Sequence, residues 1–141
     1  MRSTISIRKI SITGLTTDCI VNAANKYLQT DSGVCGAIFE EAGYNLLQKA
    51  CQKIGYCDPG SAVVTPGFKS KARYIIHAVG PQWQGGTDHE PQLLYGAYRR
   101  SLELAAENSC HSIGFPLISA GIFGYPLEGK KLLESRFQNI G

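Results

Sequence analysis

The sequence predicts an α/β domain built on a mainly parallel sheet, and three observations predict it. Short, wholly apolar runs such as Cys19-Ile20-Val21 suit strands covered on both faces. Between such runs, apolar residues recur at three- and four-residue steps, the period of a helix with one buried face. Strand-like and helix-like segments alternate along the chain, as crossovers between parallel strands require.

Ile5, Ile7, Ile10 and Ile12 interleave with Ser6, Arg8, Lys9 and Ser11, roughly the alternation of a strand with one covered face. The run Cys19-Ile20-Val21 is expected to end in Asn22-Ala23-Ala24-Asn25, because asparagine is a poor strand residue. A loop from Lys26 to Gly33 follows. From Val34 the period becomes helical through Ala37, Ile38, Glu41 and Ala42, with Gly43 placed as the stop. Leu46, Leu47, Ala50, Cys51 and Ile54 mark a second helix, with Gly55 just beyond its end. Asp58-Pro59-Gly60 reads as a turn, Ser61 to Thr65 as a short strand and Pro66-Gly67 as another turn. Tyr74 to Val79 is the clearest buried strand and stops at Gly80-Pro81, before a loop around Gln84 to Asp88. Pro91 suits a first helical turn, and Leu94, Tyr98, Leu102 and Ala105 carry the longest helix toward Asn108. Ile113 to Ile118 is a further strand, followed by the small-residue loop Ser119 to Gly124 and a helix start at Pro126.

A length of 141 residues corresponds to one domain of about 150. The net charge of +3, from 14 basic and 11 acidic residues, is too small and scattered to indicate a nucleic-acid polymer or a membrane surface as partner. Any anion must therefore be gripped locally. No stretch approaches the ~20 apolar residues of a membrane span, and Met1-Arg2-Ser3-Thr4 lacks the apolar core of a signal peptide, so the chain is expected in the cytoplasm. Five cysteines lie in apolar segments, which favours reduced, buried thiols over a disulfide or zinc site. Cys51 and Cys57, with His77, His89 or His111, come nearest to a metal pattern but lack close pairing, so no metal is expected.

Ligand crevices of open α/β sheets lie at the carboxyl ends of the strands, and two loops there are unusual. In the first, Asn22-Ala23-Ala24-Asn25 and Asp31-Ser32-Gly33-Val34-Cys35-Gly36 lead directly into a helix, whose N-terminus offers unpaired N–H groups to a phosphate. In the second, Ser119-Ala120-Gly121-Ile122-Phe123-Gly124 follows a strand and precedes a helix. Neither loop holds a lysine, no G-x-G-x-x-G is present, and Leu117 excludes the G-x-S-x-G pattern around Ser119. Both loops can equally be turns that only reverse the chain. Asn25 either caps a turn through its side chain or binds a ligand. Phe123, between small residues, reads as cover for a ligand rather than core. His77 reads as a core histidine, Trp83 as packing, and His89 and His111 as surface residues.

The segments Asp18 to Asn25, Gly33 to Ile38, Tyr74 to Pro81 and Phe115 to Pro126, in that order, resemble the macrodomain family, nearest its MacroD-type and alphavirus-like branches. The resemblance covers the chain from about Ile5 to Pro126. It implies a three-layer α/β/α fold with a mixed, mostly parallel central sheet. The chain is then one macrodomain over residues 1–141, short of the family's last strand and helix. A missing strand would leave a sheet edge through which a homodimer can pair.

The resemblance further implies binding of ADP-ribose or ADP-ribosylated protein without a cofactor. The implied chemistry is removal of ADP-ribose from modified side chains or deacetylation of O-acetyl-ADP-ribose. The alternative is a binding module without turnover. Asn25, the one implied catalytic residue, would hold the distal ribose. Ser11 and Ile12 would lie at the adenine, and Ala23 beside the ligand. Gly33, Val34 and Cys35 would wall one side of the diphosphate, with Ser119, Ala120, Gly121, Ile122, Phe123 and Gly124 on the other side. Three local departures stand out. Ile10-Ser11-Ile12-Thr13 replaces a Gly-Asp-Ile-Thr pattern, Cys35 stands where MacroD-type members carry aspartate, and Thr30-Asp31-Ser32-Gly33 replaces a glycine run.

Overall fold

Strand β1, Cys19–Ala23, is buried at all five positions, as a run covered on both faces must be. In the computed structural model of the chain, residues 12–30, 34–81 and 90–116 are described. β1 includes Asn22, which the sequence places at a strand end; here the residue is within the strand because its amide finds a partner on the neighbouring strand. β1 pairs in parallel with β3, Tyr74–Val79, in the register Ile20↔Ile75, Asn22↔His77. On its other side it pairs in parallel with β4, Ile113–Gly114. β2, Ser61–Pro66, joins β3 antiparallel, so the sheet order is β2-β3-β1-β4 and the sheet is mixed, with two parallel pairs and one antiparallel pair among the described residues. A short connection explains the antiparallel pair. Only residues 67–73 separate β2 from β3, too few for the crossover that parallel strands need.

The helices sit where the spacing puts them. α1, Val34–Ala42, buries Cys35, Ile38, Phe39 and Ala42 on one side, and Gly43 with φ 100° ends it. α2, Tyr44–Ile54, buries Leu47 and Cys51; Gly55, at φ 80°, closes it by donating its N–H to the Cys51 carbonyl at 2.9 Å. α1 and α2 cover the sheet face carrying Ile20, Ala24, Ile75 and Val79. α3, Glu90–Glu107, buries Leu94, Ala97, Tyr98, Ser101, Leu104 and Ala105 along one stripe against the opposite face, with Val21, Ala23, Ile76 and Ala78. The result is the expected three layers. No helix among the described residues is long and apolar enough to cross a membrane. Of the expected first strand, residues 5–11 lie outside the described ones, and Ile12 opens a single 3₁₀ turn, Ile12–Gly14. Trp83 and His89 also lie outside them.

α3 approaches the sheet closely because Gly96 has no side chain. A Cβ there would stand 2.6 Å from the Gly60 carbonyl oxygen, a backbone atom with no rotamer to move aside. Alanine is the better helix former by about 1 kcal/mol, but the overlap is the larger effect. Gly96→Ala is therefore expected to destabilise the fold by about 1–3 kcal/mol, read from the urea unfolding midpoint.

Candidate functional site

Among the described residues, the sheet face beneath α1 and α2 carries a row of three fully buried polar side chains: Thr65 on β2, His77 on β3 and Asn22 on β1, all at most 3% exposed. Buried polar groups are tolerated only when they are hydrogen-bonded, and these bond to one another. Asn22 Nδ2 donates to His77 Nδ1 at 3.1 Å. With Nδ1 accepting, the imidazole is the Nε2–H tautomer and donates to Thr65 Oγ1 at 3.0 Å. The Cys51 thiol sits 3.9 Å from the same Nε2. One atom is left over. Asn22 Oδ1 is buried without a hydrogen-bond partner.

From Asn22 the network leaves the core toward the end of β1. Its Nδ2 also donates to Cys35 Sγ, 3.5 Å away on the first turn of α1. The Cys35 thiol faces the Gln29 carbonyl at 4.0 Å. That carbonyl accepts from Asn25 Nδ2 at 3.1 Å, and Asn25 Oδ1 in turn accepts the N–H groups of Tyr27 at 3.0 Å and Gln29 at 3.2 Å. Asn25 therefore does cap its own turn through its side chain, the first of the two roles open to it. The loop so formed is tied down further by the Cys57 N–H, which donates to the Lys26 carbonyl at 2.8 Å.

These contacts bring part of the expected site together. Asn25 lies just beyond the carboxyl end of β1, where Ala24 N–H donates to the Ala78 carbonyl of β3 at 2.9 Å. Cys35 is 1% exposed, so its sulfur faces the core and is closed to a ligand. Val34 opens α1, where the first N–H groups have no partner within the helix. Ile12 is buried in the same apolar cluster as Cys35 and Ile20, while Ala23 faces the α3 layer. Ser11, Gly33 and residues 119–124, including Phe123, lie outside the described residues. Sequence reasoning missed the roles of Asn22, Gln29 and Thr65. The available signal was an asparagine in a run with no exposed position.

Burial alone pushes the His77 imidazole down to about 4, which agrees with its reading as a core histidine. Burial pushes the Cys51 and Cys57 thiols up to about 11, with the neighbouring Cys35 and Asp58 adding to the effect. Cys19 rises to about 12, again mainly through burial. All five cysteines are unpaired thiols, and among the described residues no three His, Cys, Asp or Glu side chains gather as a metal site. His111 is exposed, its main-chain N–H donating to Asp18 Oδ2 at 2.7 Å.

Because folded His77 titrates at about 4 and an unfolded histidine near 6.5, the unfolded chain binds the extra proton between those values. The stability from keeping this ring neutral is complete above pH 6.5 and declines as the pH falls toward 4. The expected loss from this group between pH 7 and pH 4 is about 3 kcal/mol. Urea unfolding of the wild type and of His77→Gln across that range measures it, the variant lacking this part of the slope.

The sequence model of one family, the Macro domain, matches residues 21–130. A macro domain-containing protein of Chlorobaculum tepidum is 51% identical over 120 residues, 85% of this chain and 69% of that protein. The O-acetyl-ADP-ribose deacetylase of Cronobacter turicensis is 50% identical over 130 residues, 89% of this chain and 73% of the relative. Among solved structures, the Oceanobacillus iheyensis macrodomain with ADP superposes with a TM-score of 0.83 at 41% identity, over 89% of this chain and 70% of that one. A match over most of the residues, by sequence and by fold together, settles the family. This chain belongs to the macro domain family.

Proposed function

We propose that the chain binds ADP-ribose at the carboxyl ends of β1 and β3 and hydrolyses the acetyl ester of O-acetyl-ADP-ribose, releasing acetate. Removal of ADP-ribose from modified carboxylate side chains is the kindred reaction at the same site. The observation that carries this reading is the 50% identity, over 89% of the chain, to a protein named for that deacetylation. The geometry supports it. Hydrogen bonds to the Gln29 carbonyl and from the Tyr27 and Gln29 N–H groups hold the Asn25 side chain, so a ribose hydroxyl meets an amide already oriented. The resemblance assigns the main-chain N–H groups of Gly33, Val34 and Cys35 to one phosphate, and the start of α1 at Val34 is where such donors lack partners within the helix. The family resemblance assigns Ser119 to Gly124 to the other side of the diphosphate, Phe123 to the distal ribose, and Ser11 and Ile12 to the adenine. Hydrolysis then rests on positioning a water beside the distal ribose and needs no nucleophilic side chain. The unpaired thiols support residence in the reducing cytoplasm.

A second reading, a module that binds ADP-ribose without turnover, is favoured by Cys35. Its thiol turns toward Asn22 and Gln29, so this side chain does not activate a water.

Calorimetric titration with ADP-ribose, AMP and ribose 5-phosphate tests the first part, with ADP-ribose expected to bind far more tightly than either half. Acetate release from O-acetyl-ADP-ribose tests the second; Asn25→Ala is expected to reduce it roughly tenfold or more with the fold intact by circular dichroism. Gly121→Glu, which adds bulk and negative charge to the phosphate loop, is expected to abolish binding. Tight binding with no acetate released by the wild type would establish the second reading.

A further inference from the structure

We infer that His77 and Asn22 are positioning residues for Asn25, acting through Cys35 and the Gln29 carbonyl. This rests on the ADP-ribose reading above and deepens it. Three observations carry it. An unbroken series of contacts runs from Thr65 Oγ1 through the His77 ring, the Asn22 amide, the Cys35 sulfur and the Gln29 carbonyl to Asn25 Nδ2. The contacts within the core are short, 3.0 and 3.1 Å, and their members are completely enclosed, so the ring has little freedom to turn. The arrangement is also costly for a core. Apolar residues of the same volume would pack there without burying the unpartnered Asn22 Oδ1.

Each link has a mechanical reason. His77 presents one acceptor to Asn22 and one donor to Thr65, which fixes the ring by both nitrogens and leaves one orientation for the Asn22 amide. Asn22 uses its two N–H groups on different elements, His77 of β3 and Cys35 of α1. The first turn of α1 is thereby registered against the sheet. Cys35 Sγ then abuts the carbonyl that also orients Asn25, so α1 and the β1 loop move as one body. The group that meets the distal ribose and the N–H groups that meet a phosphate are held at one mutual distance.

The test compares His77→Leu, which fills the space but makes no hydrogen bond, with His77→Gln, whose amide can accept from Asn22 and donate to Thr65. A third variant, Asn22→Leu with His77→Leu, replaces the pair by apolar residues and guards against an unfolded single variant. AMP lacks the distal ribose and its phosphate and reports on the adenosine half of the pocket. Expected for His77→Leu and for the double variant is a roughly tenfold loss of ADP-ribose affinity with AMP affinity unchanged, restored in His77→Gln. In an Asn25→Ala background, His77→Leu is expected to add nothing further. Equal losses for AMP and ADP-ribose, no loss for either, or losses additive with Asn25→Ala would overturn the inference. A wild type that binds no ADP-ribose overturns the functional reading instead. The inference is then decided by nitrogen-15 NMR of the free protein. The Asn25 side-chain amide signals are expected to shift in His77→Leu and return in His77→Gln; signals unmoved in His77→Leu would refute the coupling.

Discussion

Asn22 and His77 lie side by side because β1 and β3 pair in parallel in a single register, and most of what the site can do depends on that pairing. Side chains alternate along a strand, so a slip by one residue would turn Asn22 toward the apolar α3 layer and turn Val21 and Ala23 toward α1 and α2. The apolar residues on either side hold the register. Ile20 and Ile75 on one hand, and Ala24 and Val79 on the other, pack against α1 and α2, and exchanging them for the differently sized α3-facing set of Val21, Ala23, Ile76 and Ala78 would mispack both faces. The polar pair is thus carried into place by its apolar neighbours, and once there it finds its further partners in Thr65 and Cys35.

The contacts that leave the core differ in strength. Those between nitrogen and oxygen, at 3.0 to 3.2 Å around Asn25, define geometry. Those through the Cys35 sulfur, at 3.5 and 4.0 Å, are weaker and act more as a packed spacer between the α1 turn and the loop. A thiol suits that use because it is small, apolar enough to be buried, and still able to take an amide N–H. The high proton affinity of Cys19, Cys51 and Cys57 follows from the same burial and keeps these groups protonated and inert near neutral pH.

The opposite face of the sheet has a different task. α3 lays alanines and Gly96 against β2 and β3, and the absence of side-chain bulk lets it approach within contact of the Gly60 backbone. Ser101 does not disturb that packing, since its hydroxyl returns a hydrogen bond of 2.7 Å to the Ala97 carbonyl of its own helix. A floor packed this tightly has few alternative arrangements. The loops at the carboxyl end of β1 are therefore built on a rigid support, and their conformation is decided by Asn25 and its partners.

From Cys19 to Gly114 the sequence by itself determined the type and order of the described strands and α-helices, since these follow from local periodicity and from glycines such as Gly43 and Gly55 placed just past the helix ends. It also carried the family, because Asp18 to Asn25 and Tyr74 to Pro81 are contiguous motifs. Tertiary structure decided the rest. Asn22 read as a strand terminator because its propensity is local, whereas the histidine that satisfies it is 55 residues away. The family resemblance implies a place for Cys35 in a ligand wall, whereas the direction of its sulfur, toward the core, was decided by packing. β2 became an antiparallel edge through the shortness of residues 67–73 combined with the position of β3. Periodicity reports how far a residue is buried, but a hydrogen bond needs a partner at 3 Å or so, and which partner arrives is settled only when distant strands come into register.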